Sequence, residues 1–191
     1  MVRTFIVYVA DHPGVLNRVS SLFRRRGYNI ESLTVGHTHK SGISRMTVVV
    51  GIDAQGAPLV KANLYKLAEV LHVDDITSLP SLHRELLIAK VAAAENLRPD
   101  LMRVLESFHA RVLEGATEWL VIEATGAEEV IDRLIEGIQP FGILEMTRTG
   151  RVAMTTGNVP SFDIAESAQS ANDSISFRNS IVSKALLRNC S

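Results

Sequence analysis

The chain has a single cysteine, Cys190, among 191 residues, so it can form neither an intrachain disulfide nor a multi-thiolate metal site. A reducing compartment follows from that scarcity. Aromatic residues make up 5% of the chain, with one tryptophan, and the formal net charge is −1. A protein with so little basic excess is a poor match for nucleic acid, whose phosphates demand a basic surface or patch. Arg24, Arg25 and Arg26 form the only cationic run. No apolar stretch reaches the ~20 residues that span a bilayer, and the start MVRTFIVYVADHPG carries no cleavage-site pattern. Neither a membrane anchor nor a signal peptide is expected.

Catalytic signatures are also missing. The chain contains no phosphate-cradling G-x-x-x-x-G-K-[ST], no G-x-G-x-x-G, no H-E-x-x-H and no G-x-S-x-G. His37 and His39 alternate in a Gly- and Ser-rich loop with no Cys or carboxylate close in sequence, which reads as a pair of solvated histidines rather than metal ligands. His12 has no evident nucleophile to serve and reads as a turn residue. Trp119 falls in an alternating strand pattern and reads as packing, and Arg148 and Arg151 as surface arginines beside a glycine turn.

What is present is a regular alternation of strands and helices. Thr4 to Ala10 is a β-branched, aromatic run of strand length, broken by the turn residues Asp11 to Gly14. Val15, Leu16, Val19, Leu22 and Phe23 then recur with helical spacing, with Asp11 as a capping residue, Pro13 in the first turn and Gly27 at the C′ position. Strands follow at Ile30 to Val35 and Ser44 to Gly51. A second helix opens at Pro58 and runs through Val60, Leu64, Leu67 and Leu71, and a strand spans Val73 to Leu79.

The second half repeats the order. It has strand Arg84 to Ala93, helix Pro99 to Phe108, strands Ala110 to Leu113 and Trp119 to Thr125, helix Glu128 to Ile138, and strand Gly142 to Met146. The expected class is α+β, with two ferredoxin-like βαββαβ domains at 1–79 and 84–156. Residues 80–83 form the linker and 157–191 a flexible tail poor in apolar residues, with some amphipathic spacing at Ile175 to Leu187. In each half, two helices cover one face of an antiparallel sheet and leave the other to solvent or a partner.

The turn after the first strand suits a small amino acid. Amides of Gly14, Val15 and Leu16 at a helix start favour a carboxylate, and Gly14 admits it without a side chain in the way. Asp11 and Asn29 offer oxygens for an ammonium, while Ile30 and Val35 offer an apolar wall. The same residues also read as a plain cap, a plain turn and a polar strand start.

Beyond the residue chemistry, the series ADHPGVLNRVSSLFRRRGYNIESLTVG, SGISRMT, LYKLAEVLHVDDIT, RELLIAKV, FHARVLE and FGILEMTRTGRVAM resembles the small, regulatory subunit of acetolactate synthase over about residues 3 to 155. GYNIESL with SRMT and RTG carries the specificity, since generic ACT domains share the D-x-P-G turn but not this series. The resemblance implies an N-terminal ACT domain, a C-terminal ferredoxin-like domain and a homodimer with side-by-side sheets. It implies a chain that is not catalytic and holds no cofactor, bound to a large subunit that carries thiamine diphosphate, magnesium and FAD. That large subunit would be activated and made sensitive to valine or a related end product. It also implies an effector site of Asp11, Gly14, Val15 and Leu16 from one protomer and Asn29 and Ile30 from the other. Asp11 departs from members with Asn at that position, and His12 and Pro13 from the Glu and Ser common in bacterial members. A cytoplasm and a plastid are both compatible. The alternatives are a stand-alone ACT sensor acting on another target and, ranked last, a ferredoxin-like RNA binder, which would need sheet aromatics and a basic face.

Overall fold

The computed structural model describes residues 2–157, and the expected tail at 157–191 lies outside the described residues apart from Gly157. Two four-strand units follow one another with the same strand order. In the first, β1 (Val2–Ala10), β2 (Ile30–His37), β3 (Ile43–Gly51) and β4 (Val70–Asp75) are arranged β2-β3-β1-β4, with all pairs antiparallel. In the second, β5 (Ser81–Ala92), β6 (Arg111–Gly115), β7 (Trp119–Gly126) and β8 (Ile143–Arg148) are arranged β6-β7-β5-β8. Helices α1 (Val15–Arg25) and α2 (Gly56–Leu64) belong to the first unit, α3 (Arg98–Ser107) and α4 (Glu128–Ile138) to the second. The expected α+β class with two ferredoxin-like units is what the chain adopts.

Alternation explains the layering. On β1, Phe5, Val7 and Val9 face the helices and pack with Val19 and Phe23 of α1 and Val60 and Leu64 of α2. On β5, Leu87, Ala89 and Val91 do the same against Leu101 and Leu105 of α3 and Ile131, Leu134 and Ile138 of α4. Each sheet thus presents every second residue to one helical layer.

Several boundaries differ from expectation. The second helix stops at Leu64, because residues 65–69 close into tight turns, with Leu67 bonded to the Leu64 carbonyl, and Leu71 falls in β4. The strand expected from Val73 starts at Val70 and ends at Asp75. The segment 80–83, expected as linker, is strand from Ser81 onward. Ser81 to Arg84 gain a ladder from a ninth strand, β9 (Val152–Thr155), which periodicity over four residues could not signal. β8 and β9 lie one after the other against β5.

The open face of the first sheet is not left wholly to solvent or a partner chain. Ile6, Tyr8, Ile43 and Ile76 on that face enclose Ala153 of β9, so the β5–β9 ribbon covers part of it. Among the described residues no helix is long and apolar enough to cross a membrane.

Candidate effector site

The helix start is built on Gly14 rather than Asp11. Gly14 is the N-cap of α1 with φ +86°, a left-handed conformation that costs other residues about 1–2 kcal/mol, and no side chain caps the helix. The space where its Cβ would stand is empty to 4 Å. Val15 is buried and its amide reaches the His12 carbonyl at 3.3 Å. The Leu16 side chain, expected on the core face, is 45% exposed, because it sits about 100° round the helix from Val15. The C-terminus of α1 is as expected: Gly27 at C′ donates to Arg24 and Tyr28 to Phe23, the two bonds of a Schellman motif.

Asp11 is freed from capping and turned toward the sheet. Its Oδ1 accepts from Ser44 Oγ at 3.2 Å, and its Oδ2 lies 3.2 Å from His37 Nδ1. The carboxylate absent from the sequence neighbourhood of His37 is thus supplied by a residue 26 positions earlier. Among the described residues no group of three or more His, Cys, Asp or Glu is placed to hold a metal ion.

Asn29 and Ile30 lie at the far end of the sheet. Ile30 pairs with Val50, which pairs with Arg3 near the start of β1, whereas the Asp11 amide bonds to Gly42 just past its end. Eight residues of strand, about 26 Å, separate the two levels. Within one chain, therefore, Asp11, Gly14, Val15 and Leu16 come together, and Asn29 and Ile30 stand apart from them. Asn29 is exposed, Ile30 half-buried, and Val35 on the same strand is 43% exposed. The outer edge of β2 has no strand partner among the described residues.

Arg148 and Arg151 are not ordinary surface arginines. Arg148 holds Glu85, itself 6% exposed, through Nε at 2.9 Å and a terminal nitrogen at 2.6 Å, and reaches Asp132 at 2.7 Å. Burial alone would lower the Arg148 pKa, but the bonds and charges of Glu85 and Asp132 outweigh it and raise the value. Arg151 pairs with Glu128 and bonds Thr4 Oγ1 at 3.0 Å. Glu85, Glu128, Arg148 and Arg151 line a cleft of about 460 Å³ between the two units. Next to it, His83 has a pKa lowered by burial and by the Arg151 charge, against the opposing pull of Glu129 and Glu128. The glycine turn in the sequence hid both arginines, since their partners lie 16 to 147 positions away. Trp119 lies half-buried beneath the Lys90 ammonium, 4.0 Å from the ring centroid.

Comparisons with known proteins agree with this organisation. Residues 5–72 match the family model described as the AHAS small subunit-like ACT domain, and residues 84–157 the one described as the small subunit of acetolactate synthase. A probable acetolactate synthase small subunit of Archaeoglobus fulgidus is 42% identical over 158 residues, covering 83% of this chain and 99% of that one. The acetolactate synthase small subunit of Bacillus subtilis is 39% identical over 158 residues, 82% of this chain and 92% of the relative. The crystal structure of the acetolactate synthase small subunit from Thermotoga maritima superposes with a TM-score of 0.79 at 32% identity, covering 83% of this chain and 99% of that one. With two tandem sheets of one strand order, and relatives matched over nearly their whole length, the chain belongs to the acetolactate synthase small subunit family.

Proposed function

We propose that this chain is the regulatory subunit of acetolactate synthase, which raises the activity of a large catalytic subunit and makes it responsive to valine or a related amino acid. The chemistry of acetolactate formation, a two-carbon transfer with thiamine diphosphate, magnesium and FAD, belongs to that partner. In this reading residues 1–79 are an ACT domain that binds effector and dimerises, and 84–156 are a second domain that serves the same subunit.

The observation that carries the reading is the register of the first sheet. Asn29–Ile30 and the Asp11–Leu16 turn sit at opposite ends of one sheet, so no single chain can close them around a ligand. Antiparallel pairing of two β2 edges about a two-fold axis would lay the start of one β2 beside His37 of its partner, next to the partner's Asp11 turn. It would also satisfy the open backbone edge of β2. A free amino acid then meets helix-start amides at its carboxylate and carboxylate and amide oxygens at its ammonium, with Leu16 and Ile30 as apolar wall. Asp11 keeps acceptor capacity for that ammonium, because Ser44 and His37 use only part of what two carboxylate oxygens offer.

The test is reconstitution. The chain is mixed with a large subunit of acetolactate synthase, and acetolactate formation is followed with and without valine, leucine and isoleucine. The expected result is higher activity on mixing and a loss of that activity with at least one of the three. No change in either would defeat the proposal.

A further inference from the structure

The chain segment between β8 and β9 is bound to β2 through side chains of β2 and backbone groups of the turn. Thr34 Oγ1 lies 3.2 Å from the Thr149 carbonyl and 3.2 Å from the Arg151 carbonyl. The Arg151 amide donates to Ser32 Oγ at 2.9 Å. Gly150 stands between them with φ +73°, and a Cβ there would come within 2.2 Å of Ser32 Oγ, so only glycine lets the segment lie this close. The Arg151 guanidinium continues the contact to Thr4 of β1 and to Glu128 in the first turn of α4, while Arg148 on the other side of the turn holds Glu85 and Asp132. One short turn thereby touches β1 and β2 of the first sheet and β5 and α4 of the second unit.

Three features make this contact able to adopt two arrangements. A threonine hydroxyl has one hydrogen, so Thr34 can donate fully to only one of its two equidistant acceptors, and a small slide of β2 selects between them. The β2–β3 register also shifts between Ile30 and Ser32, an irregularity that separates the proposed effector residues from the contact by one extra residue. The Arg151 Nε is buried with no acceptor among the described residues, a cost that another arrangement can relieve.

We propose that Ser32 and Thr34, bonded to the Thr149–Arg151 turn, are the coupling contact through which the state of β2 reaches the second unit. This rests on the effector reading above. Effector held against Asn29 and Ile30 displaces the start of β2, Ser32 and Thr34 carry the displacement into the turn, and Arg148 and Arg151 pass it to Glu85 and to α4. Neither hydroxyl belongs to the effector pocket, so removing them separates binding from its consequence.

The experiment compares wild type, Ser32→Ala, Thr34→Val and the double variant, each in complex with the large subunit, with Thr34→Ser as the variant that keeps the donor. Valine binding to the small subunit is measured by calorimetry, and acetolactate formation is titrated with valine. The double variant is expected to activate the large subunit and bind valine within about twofold of wild type, while its half-inhibitory valine concentration rises about fivefold or more. Thr34→Ser is expected to behave as wild type. Unchanged inhibition in a double variant that binds valine normally overturns the coupling role and leaves the effector reading intact. Loss of valine binding together with inhibition also overturns it, by assigning the two hydroxyls to the pocket or the fold. Where another of the three amino acids inhibits wild type, it replaces valine throughout; failure of wild type to bind any of valine, leucine and isoleucine removes the effector reading and this proposal with it.

Discussion

At the scale of single residues, Gly14 and Glu85 illustrate opposite demands. Gly14 leaves open space at a helix start, so Gly14→Asp fills it with a carboxylate where the proposed effector's own would sit. The variant is expected to fold with a cost of about 1–2 kcal/mol from its left-handed backbone. It should activate the large subunit normally and lose valine inhibition, and valine titration of the reconstituted enzyme checks this, with Gly14→Asn as a neutral control for the backbone cost. Glu85 is held in the interior by Arg148, so Arg148→Met strands a buried carboxylate. Urea denaturation should report a loss near 3 kcal/mol, at the low end of the range for buried pairs because Arg148 keeps some contact with water. Burial and the Arg151 charge lower the His83 pKa, so the unfolded chain binds more protons as pH falls toward and just below the ordinary value of 6.5. Stability is therefore expected to fall as pH drops from about 7 through the range below 6.5, and this part of the loss should vanish in His83→Gln. Denaturation midpoints of the two proteins across pH 5 to 8 decide it.

At the scale of elements, legibility followed periodicity and sequence distance. α1 and α4 could be read because apolar residues at helical spacing match the buried faces, Val15, Val19, Leu22 and Phe23 in the one and Ile131, Leu134 and Ile138 in the other. Phe23 is fully buried at the centre of the first core, so Phe23→Ala is expected to cost about 3–5 kcal/mol in the same denaturation assay. β9 was illegible because four residues with exposed Val152 and Met154 hold their place through partners distant in sequence, β5 some seventy positions earlier and the face of the first sheet that encloses Ala153. The end of α2 was misread because Leu67 and Leu71 keep helical spacing by coincidence, one in a turn and one in a strand. The proposed effector residues are chosen by residue type and resemblance, while their separation along the sheet follows only from the pairing of β1, β3 and β2. Asp11 shows the limit most clearly: a capping residue by type, it is claimed instead by Ser44 and His37 across the sheet.

At the scale of the whole molecule, the two units are alike in strand order but unlike in what covers them. The open face of the first sheet is partly closed by the β5–β9 ribbon, and the Thr149–Arg151 turn beside it ties the second unit to β2, the strand whose edge is proposed to pair in a dimer. Such an arrangement suits a subunit that must report the state of a dimer interface to a larger partner. The proposed effector pocket is shared between two protomers. The direct measurement uses differently tagged Gly14→Asp and Asn29→Lys chains, each of which spoils one half of the site, and calorimetric valine binding to the purified mixed dimer. Each parent homodimer is expected to bind no valine, and the mixed dimer to bind at about half the wild-type stoichiometry, because one of its two sites draws both halves from intact residues. A mixed dimer that binds no more valine than its parents would contradict the shared pocket.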